Sequence, residues 1–195
     1  MSAAGVRLRR AEPGDVEFLL ALVTHEDVEP FLGTRTPKDA ASTLEEVERS
    51  LREPAAFGRL LLEVARDGGW TRAGALGFRV ALAHHGIVRL ERLAVHPDFR
   101  GRRLADEAAR LAVRLLLDEL GYHRVELECY AFNERAIRHA ERSGFVREGV
   151  RRKAYRRHGE WVDGILFGLV REDLDEGPAR RGAESAANLS PSQPS

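Results

Sequence analysis

Cysteine is almost missing from this 195-residue chain; Cys129 is the only one. One thiol excludes an internal disulfide and any zinc site built from cysteines. Net charge is missing too, because 31 Lys and Arg residues balance 31 Asp and Glu. That balance removes the whole-chain electrostatic argument for nucleic-acid or membrane binding. Lysine is scarce, with only Lys38 and Lys153, so arginine carries nearly all the positive charge. It does so evenly along the chain, which points to genome composition rather than function. The longest apolar run near the start is Phe18 to Val23, far short of the roughly 20 residues a membrane span needs. Met1 to Arg10 has no apolar segment of a secretory signal. A cytoplasmic protein with no DNA or membrane partner is therefore expected.

Several catalytic signatures are lacking as well. No Gly-Lys dipeptide occurs, so there is no Walker A loop, and no two glycines stand two residues apart as in a dinucleotide fingerprint. A Gly-x-Ser-x-Gly elbow is absent. His25-Glu26 leads into Asp27-Val28-Glu29 instead of completing a His-Glu-x-x-His pair. The seven histidines keep no ligand spacing, and no metal is expected.

What is present is enough for a core: 43% of the residues are hydrophobic. Residues 177–195, rich in Pro, Ser, Gly and Ala, bury too little to offset their ordering entropy and are expected to form a disordered tail. Residues 1–176 then form one domain. Val6–Arg10 is expected as a strand, followed by a helix that Asp15 caps and that buries Val16, Leu19, Leu20 and Val23. A second helix is expected over Ser42–Arg52, with Ser42 and Glu45 as a capping box. Arg59–Arg66, Gly74–Ala83 and Ile87–Val95 read as a meander, with Leu60, Leu62 and Val64 alternating against more polar neighbours. The long periodic segment Arg103–Leu120 carries Leu104, Ala108, Leu111, Ala112 and Leu115 on one stripe and stops at Gly121. Strands Arg124–Tyr130, Phe145–Lys153 and Glu160–Val170 follow, with a helix over Asn133–Arg142 and a turn at Arg156-Arg157-His158-Gly159. The order is β-α-α-β-β-β-α-β-α-β-β.

One junction concentrates chemical possibility. The strand ending Glu91-Arg92-Leu93-Ala94-Val95 runs through His96-Pro97-Asp98-Phe99 into Arg100-Gly101-Arg102-Arg103-Leu104-Ala105 and then the long helix. A helix start has backbone N–H groups without internal partners and the positive end of the macrodipole, which suit an anion. Arg100, Arg102 and Arg103 add charge there, though solvated arginines on an ordinary connection would look the same.

Leu-Ala-Val-His-Pro followed by Arg-x-x-Gly-x-Ala resembles the acetyl-CoA motif of the GNAT N-acetyltransferases, with Arg103 standing at the motif's central glycine. Asn133-Glu134-Arg135-Ala136-Ile137 and Ser143-Gly144-Phe145 resemble the family's second motif. Arg147-Glu148-Gly149-Val150, Gly159-Glu160-Trp161-Val162-Asp163 and the opening Leu8-Arg9-Arg10-Ala11-Glu12-Pro13-Gly14-Asp15 resemble its ribosomal-protein-alanine N-acetyltransferase branch. The resemblance spans residues 6–173. It implies an α/β (α+β) acyl-CoA N-acyltransferase fold: a mostly antiparallel mixed sheet of about seven strands, helices on both faces, and a splay between strands four and five.

The resemblance also implies roles. Acetyl-CoA would be the cosubstrate and an amine, either a protein N-terminus or a small amine, the acceptor; a homodimer is compatible with the sequence. Backbone groups of Leu93, Ala94 and Val95 would pair with the pantetheine arm, and the backbone of Gly101, Arg102, Arg103, Leu104, Ala105 and Asp106 would hold the pyrophosphate. Arg103 would add a bidentate phosphate contact. Asn133 and Ala136 belong to the cofactor set, Asn133 orienting the arm or a water. Glu128 is the first candidate for the base and Glu91 the second; a carboxylate partly buried beside an apolar arm would have a raised pKa. Ala140 stands where some relatives carry a tyrosine acid, and Tyr130 is a weak substitute. The Arg151–Arg157 run reads as a solvated strand end offset by Glu148, Glu160 and Asp163. Cys129 reads as a buried apolar residue. The alternative function is an inactive acyl-CoA-binding module.

Overall fold

The computed structural model describes residues 5–33, 39–157 and 159–175. Residues 1–4, 34–38 and 176–195 lie outside it, the expected tail 177–195 among them, as does His158 of the expected last turn. In chain order the elements are β1 (Val6–Arg10), α1 (Val16–Thr24), α2 (Ala40–Arg52), β2 (Phe57–Arg66), β3 (Gly69–Leu82) and β4 (Ile87–Val95). There follow α3 (Leu104–Arg114), a π turn over Leu115–Glu119, β5 (Arg124–Tyr130), α4 (Glu134–Arg142), β6 (Val146–Arg157), β7 (Glu160–Val170) and α5 (Arg171–Asp175).

The seven strands form one sheet in the order β1-β2-β3-β4-β5-β7-β6. Only β4 and β5 run parallel. Helices cover both faces. Leu104, Ala108, Ala112, Leu116 and Ala140 from α3, the π turn and α4 pack on Leu60, Leu62, Phe78, Leu90 and Val125. On the other face Leu19, Leu22 and Val47 from α1 and α2 pack on Leu61, Ala75 and Ala94.

Several local expectations are corrected. Alternation in β2 suggested one polar face, yet Leu61 is fully buried beside Arg59 and Glu63, because a sheet between two helix layers has no solvent face. Asp39, not Ser42, caps α2: its carboxylate accepts the Ser42 N–H at 2.8 Å. Asp15 makes no side-chain cap for α1. Instead it accepts the Glu12 N–H at 2.9 Å and pairs with Arg9 and Arg72 at 2.6 and 2.8 Å. Leu22, rather than Leu20 or Val23, joins Leu19 inside. The long helix stops being α-helical at Arg114. Leu120 N–H reaches back five residues to the Leu115 carbonyl, and in this π turn Leu116 and Leu117 are buried while Leu115 packs partly buried against the same core.

The splay is present. β4 and β5 pair over three rows, Ile87↔Arg124, Val88↔Val125 and Arg89↔Glu126. Beyond them β4 stays with β3 and β5 stays with β7.

Candidate active site

A bulge shapes one wall of the resulting slot. Ala75 pairs with Ala94 and Gly77 with Glu91, so β4 carries one more residue than β3 across that interval. Arg92 takes up the excess at φ +56°. Leu90, Leu93 and Val95 therefore pack on the α3 side, whereas Glu91 and Arg92 both reach toward α2. Arg92 binds Glu46 at 3.0 Å through two nitrogens and Glu91 at 2.9 Å. Glu46 also takes Arg59 at 2.7 Å, and Glu91 takes Arg79 at 3.0 Å. Burial and the like charge of Arg92 push the Arg59 guanidinium down to about 10. Burial alone would raise the Glu91 pKa, but Arg92, Arg79 and Arg59 outweigh it and hold the group below its ordinary value. Glu91 is thus a committed ion-pair partner, a poor setting for the proton acceptor considered from the sequence. A pocket lined by Leu19, Leu22, Glu46, Arg59, Arg92 and Ala94 among others opens on this α1/α2 face.

The opposite wall is β5. Continuing the β4–β5 register would set Glu128 across from Glu91, two rows after pairing stops. Strand alternation puts Glu126, Glu128 and Tyr130 on the α1/α2 face, while Leu127 and Cys129 pack against the α3-side core. The Glu128 side chain is 11% exposed. It does not sit in the dry apolar setting anticipated: the Tyr155 hydroxyl donates to Oε1 at 2.7 Å and Arg151 to Oε2 at 3.3 Å. Tyr130 donates to the Leu32 carbonyl at 3.4 Å and is buried. Ala140 is buried beneath Phe145 in the core and brings no proton donor. Burial and the Glu128 charge push the Cys129 thiol up to about 11, which leaves it protonated and unreactive at neutral pH.

The start of α3 has the shape expected of an anion-binding turn. Gly101 lies at φ +80° and Arg103 at φ +55°, ψ +22°. Arg103 thus adopts the left-handed conformation glycine favours, at the position where the resemblance places glycine. The first intrahelical bond is Glu107 N–H to the Arg103 carbonyl at 3.2 Å, so the N–H groups of Leu104, Ala105 and Asp106 have no partner within the helix. Leu104 is buried and anchors the turn; Arg102 and Arg103 are exposed. Arg100 is not free: it bonds the Asp27 carboxylate at 3.2 Å and carbonyl at 3.0 Å. The Asp106 side chain joins α3 to α4, meeting His139 Nδ1 at 2.7 Å and Arg142 at 3.2 Å. Asn133 Oδ1 accepts the Ala136 N–H at 3.1 Å and caps α4, so that oxygen is taken by the helix.

Of the partners expected for the Arg151–Arg157 run, Asp163 accepts the Lys153 N–H at 2.7 Å, and other contacts were not foreseen. Arg151 meets Glu128, Arg157 reaches Glu29 and the carbonyls of Glu29 and Pro30, and Glu148 binds Arg124 instead. Tyr155, Gly164 and the Glu46–Arg59–Arg92 cluster were not singled out from the sequence. Tyr155 was visible there only as the lone aromatic among basic residues.

A sheet that parts at its one parallel pair, with unpartnered helix amides at the end of one lip, makes a slot for an extended acyl carrier; this is the acyl-CoA N-acyltransferase fold. The chain belongs to the GNAT acetyltransferase family: the family model "Acetyltransferase (GNAT) domain" matches residues 6–146. The uncharacterized prophage-derived N-acetyltransferase YokL of Bacillus subtilis is 39% identical over 83 residues, 43% of this chain and 47% of that protein. The protein named "Probable N-acetyltransferase YjcK" from the same organism is 33% identical over 76 residues, 39% of this chain and 42% of that one. The chain thus spans less than half the length of these two curated relatives. Among solved structures, the spermidine N-acetyltransferase of Vibrio cholerae in complex with CoA and spermine superposes with a TM-score of 0.76. It is 20% identical, with 86% of this chain and 96% of that one covered, and at that identity the likeness is one of fold.

Proposed function

We propose that this protein transfers an acetyl group from acetyl-CoA to a primary amine, with Glu128 as general base. One observation carries the reading: the β4–β5 slot opens between the turn at Gly101 and Arg103, both at positive φ, and the α1/α2 face that holds Glu128. When bound, acetyl-CoA supplies the activated thioester. Amides of Gly101, Arg102, Arg103, Leu104, Ala105 and Asp106 would hold its diphosphate, and the backbone of Leu93, Ala94 and Val95 along the open lip of β4 would align its arm. Ala136 stands in the first turn of α4. The fit is sound where it matters most, since Arg103 keeps a glycine-like backbone.

Glu128 would take the amine proton directly or through one water. Its carboxylate leans across Gly164 toward β6, so the amine approaches from the α1/α2 face. No side-chain acid is assigned, because a thiolate leaves without one. A single amine, a protein N-terminus of the ribosomal-protein type above all, suits this face better than a polyamine. Arg151 beside Glu128, Arg157 over the Tyr130 ring at 5.5 Å and Arg135 over Phe31 at 6.0 Å would repel a polycation.

The test is thiol release from acetyl-CoA against a panel of N-terminal peptides, small monoamines and spermidine. Peptide or monoamine turnover above that with spermidine is expected. Glu128→Gln should lower kcat by about 100-fold with cofactor affinity kept. Binding of acetyl-CoA with no release over buffer for any amine would leave the inactive binding module as the reading.

A further inference from the structure

Arg151 and Tyr155 lie four residues apart on β6, a span of about 14 Å on a regular strand. Their partners on β7 are Gly164 and Val162, only two residues apart. The excess is absorbed at Arg152, Lys153 and Ala154, where Lys153 takes φ +50° and its N–H donates to Asp163 Oδ1 at 2.7 Å. The bulge thus draws the Arg151 and Tyr155 positions to about 7 Å along the sheet. Both side chains meet at Glu128. Tyr155 donates to one carboxylate oxygen and Arg151 to the other, and Arg151 also touches the Tyr155 hydroxyl at 3.3 Å.

Gly164 makes the convergence possible. It pairs with Tyr130 on β5 and Arg151 on β6. A Cβ there would overlap Glu128 Oε1 and stand 2.8 Å from the Tyr155 ring. The Tyr130 ring packs edge-on against Tyr155 with centroids 5.4 Å apart. Burial first, and then the bond to Glu128, raise the Tyr155 pKa, so the phenol remains a donor at neutral pH.

We propose that Tyr155 is a positioning residue for Glu128, delivered by a β6 bulge that the Asp163 carboxylate clasps. The proposal rests on Glu128 being the base. Tyr155 fixes the carboxylate rotamer over Gly164. Arg151 from β6 is the other charged group on the carboxylate. Tyr130 from β5 packs on Tyr155 and in turn carries Arg157 on its face.

The experiment is steady-state kinetics across pH on Tyr155→Phe, Asp163→Ala, Asp163→Asn and Glu128→Gln, each checked for a folded thermal transition. Tyr155→Phe keeps the ring and loses only the hydroxyl. It should lower kcat about five- to tenfold and leave the acetyl-CoA KM in place. Asp163→Ala should do the same. Asp163→Asn, whose amide oxygen still accepts the Lys153 N–H, should retain more activity than Asp163→Ala. In the Glu128→Gln background Tyr155→Phe should add nothing. If Glu128→Gln is impaired while Tyr155→Phe keeps wild-type kcat, the positioning role is wrong and the base stands. An unimpaired Glu128→Gln overturns the base and the positioning role together. Should Asp163→Ala fail to fold, Tyr155→Phe and Asp163→Asn decide the matter.

Discussion

Arg103 occupies a glycine conformation without being glycine, at a cost of about 1 kcal/mol. An exposed arginine held at that cost beside the free amides of α3 is the residue to test for phosphate pairing. Arg103→Gly should lose cofactor affinity about fivefold, the worth of one exposed charge-assisted contact. Stability should change by less than about 1 kcal/mol, because relief of strain is offset by a more flexible unfolded chain. Calorimetric titration with CoA reads the first and a thermal melt the second. Tighter binding would mean that the side chain obstructs the diphosphate. The two carboxylates flanking the slot differ for equally local reasons. Glu91 is committed to Arg92 and Arg79, whereas Glu128 is held by a neutral phenol and one largely exposed arginine.

Among elements, α2 is held electrostatically as well as by apolar packing. Val47 enters the core beside Leu61, and Glu46, one residue away, receives Arg59 from β2 and Arg92 from the β4 bulge. Removing that carboxylate leaves two like charges facing each other with little access to water. Glu46→Gln should therefore cost about 3 kcal/mol, read as a lower denaturant midpoint with an unchanged slope. A loss under about 0.5 kcal/mol would show that water screens the pair. Most element positions were legible beforehand. β1, β4, β5 and β7 match the expected ranges, because alternation and turn residues act over a few neighbours. Of the misses, some turn on partners brought from elsewhere in the chain and others on a single extra residue in a local turn. Asp15 serves Arg9 and Arg72 instead of a helix start, and the π turn after Arg114 redirects the last stretch of the long helix.

At the scale of the whole molecule, zero net charge conceals a dense set of paired carboxylates. Burial raises the Asp15 pKa, but Arg9, the Glu12 N–H and Arg72 reverse this and hold it below its ordinary value. Burial would likewise raise the Asp106 pKa, but His139 and Arg142 outweigh it and hold the group below its ordinary value; Arg110 lowers Glu107. A carboxylate depressed in the folded state stabilises it above the unfolded pKa, and that stabilisation fades as pH falls through the folded value. The melting temperature should accordingly hold from pH 7 down to about 5 and fall steeply below about 4. Asp15→Asn should cost about 3 kcal/mol at pH 7 and shrink the acid loss; an unchanged acid slope would remove Asp15 from the account. The order of the seven strands and the four longer helices, the family resemblance and the place of the turn that opens α3 followed from the sequence, since each depends on short-range pattern or on the chemistry of a contiguous motif. The company that Glu91, Glu128 and Arg100 keep was decided only by the fold, which brings Arg79, Tyr155 and Asp27 to them from distant parts of the chain. Charge and hydrogen bonding act through space, and spacing along one strand does not encode what stands opposite it.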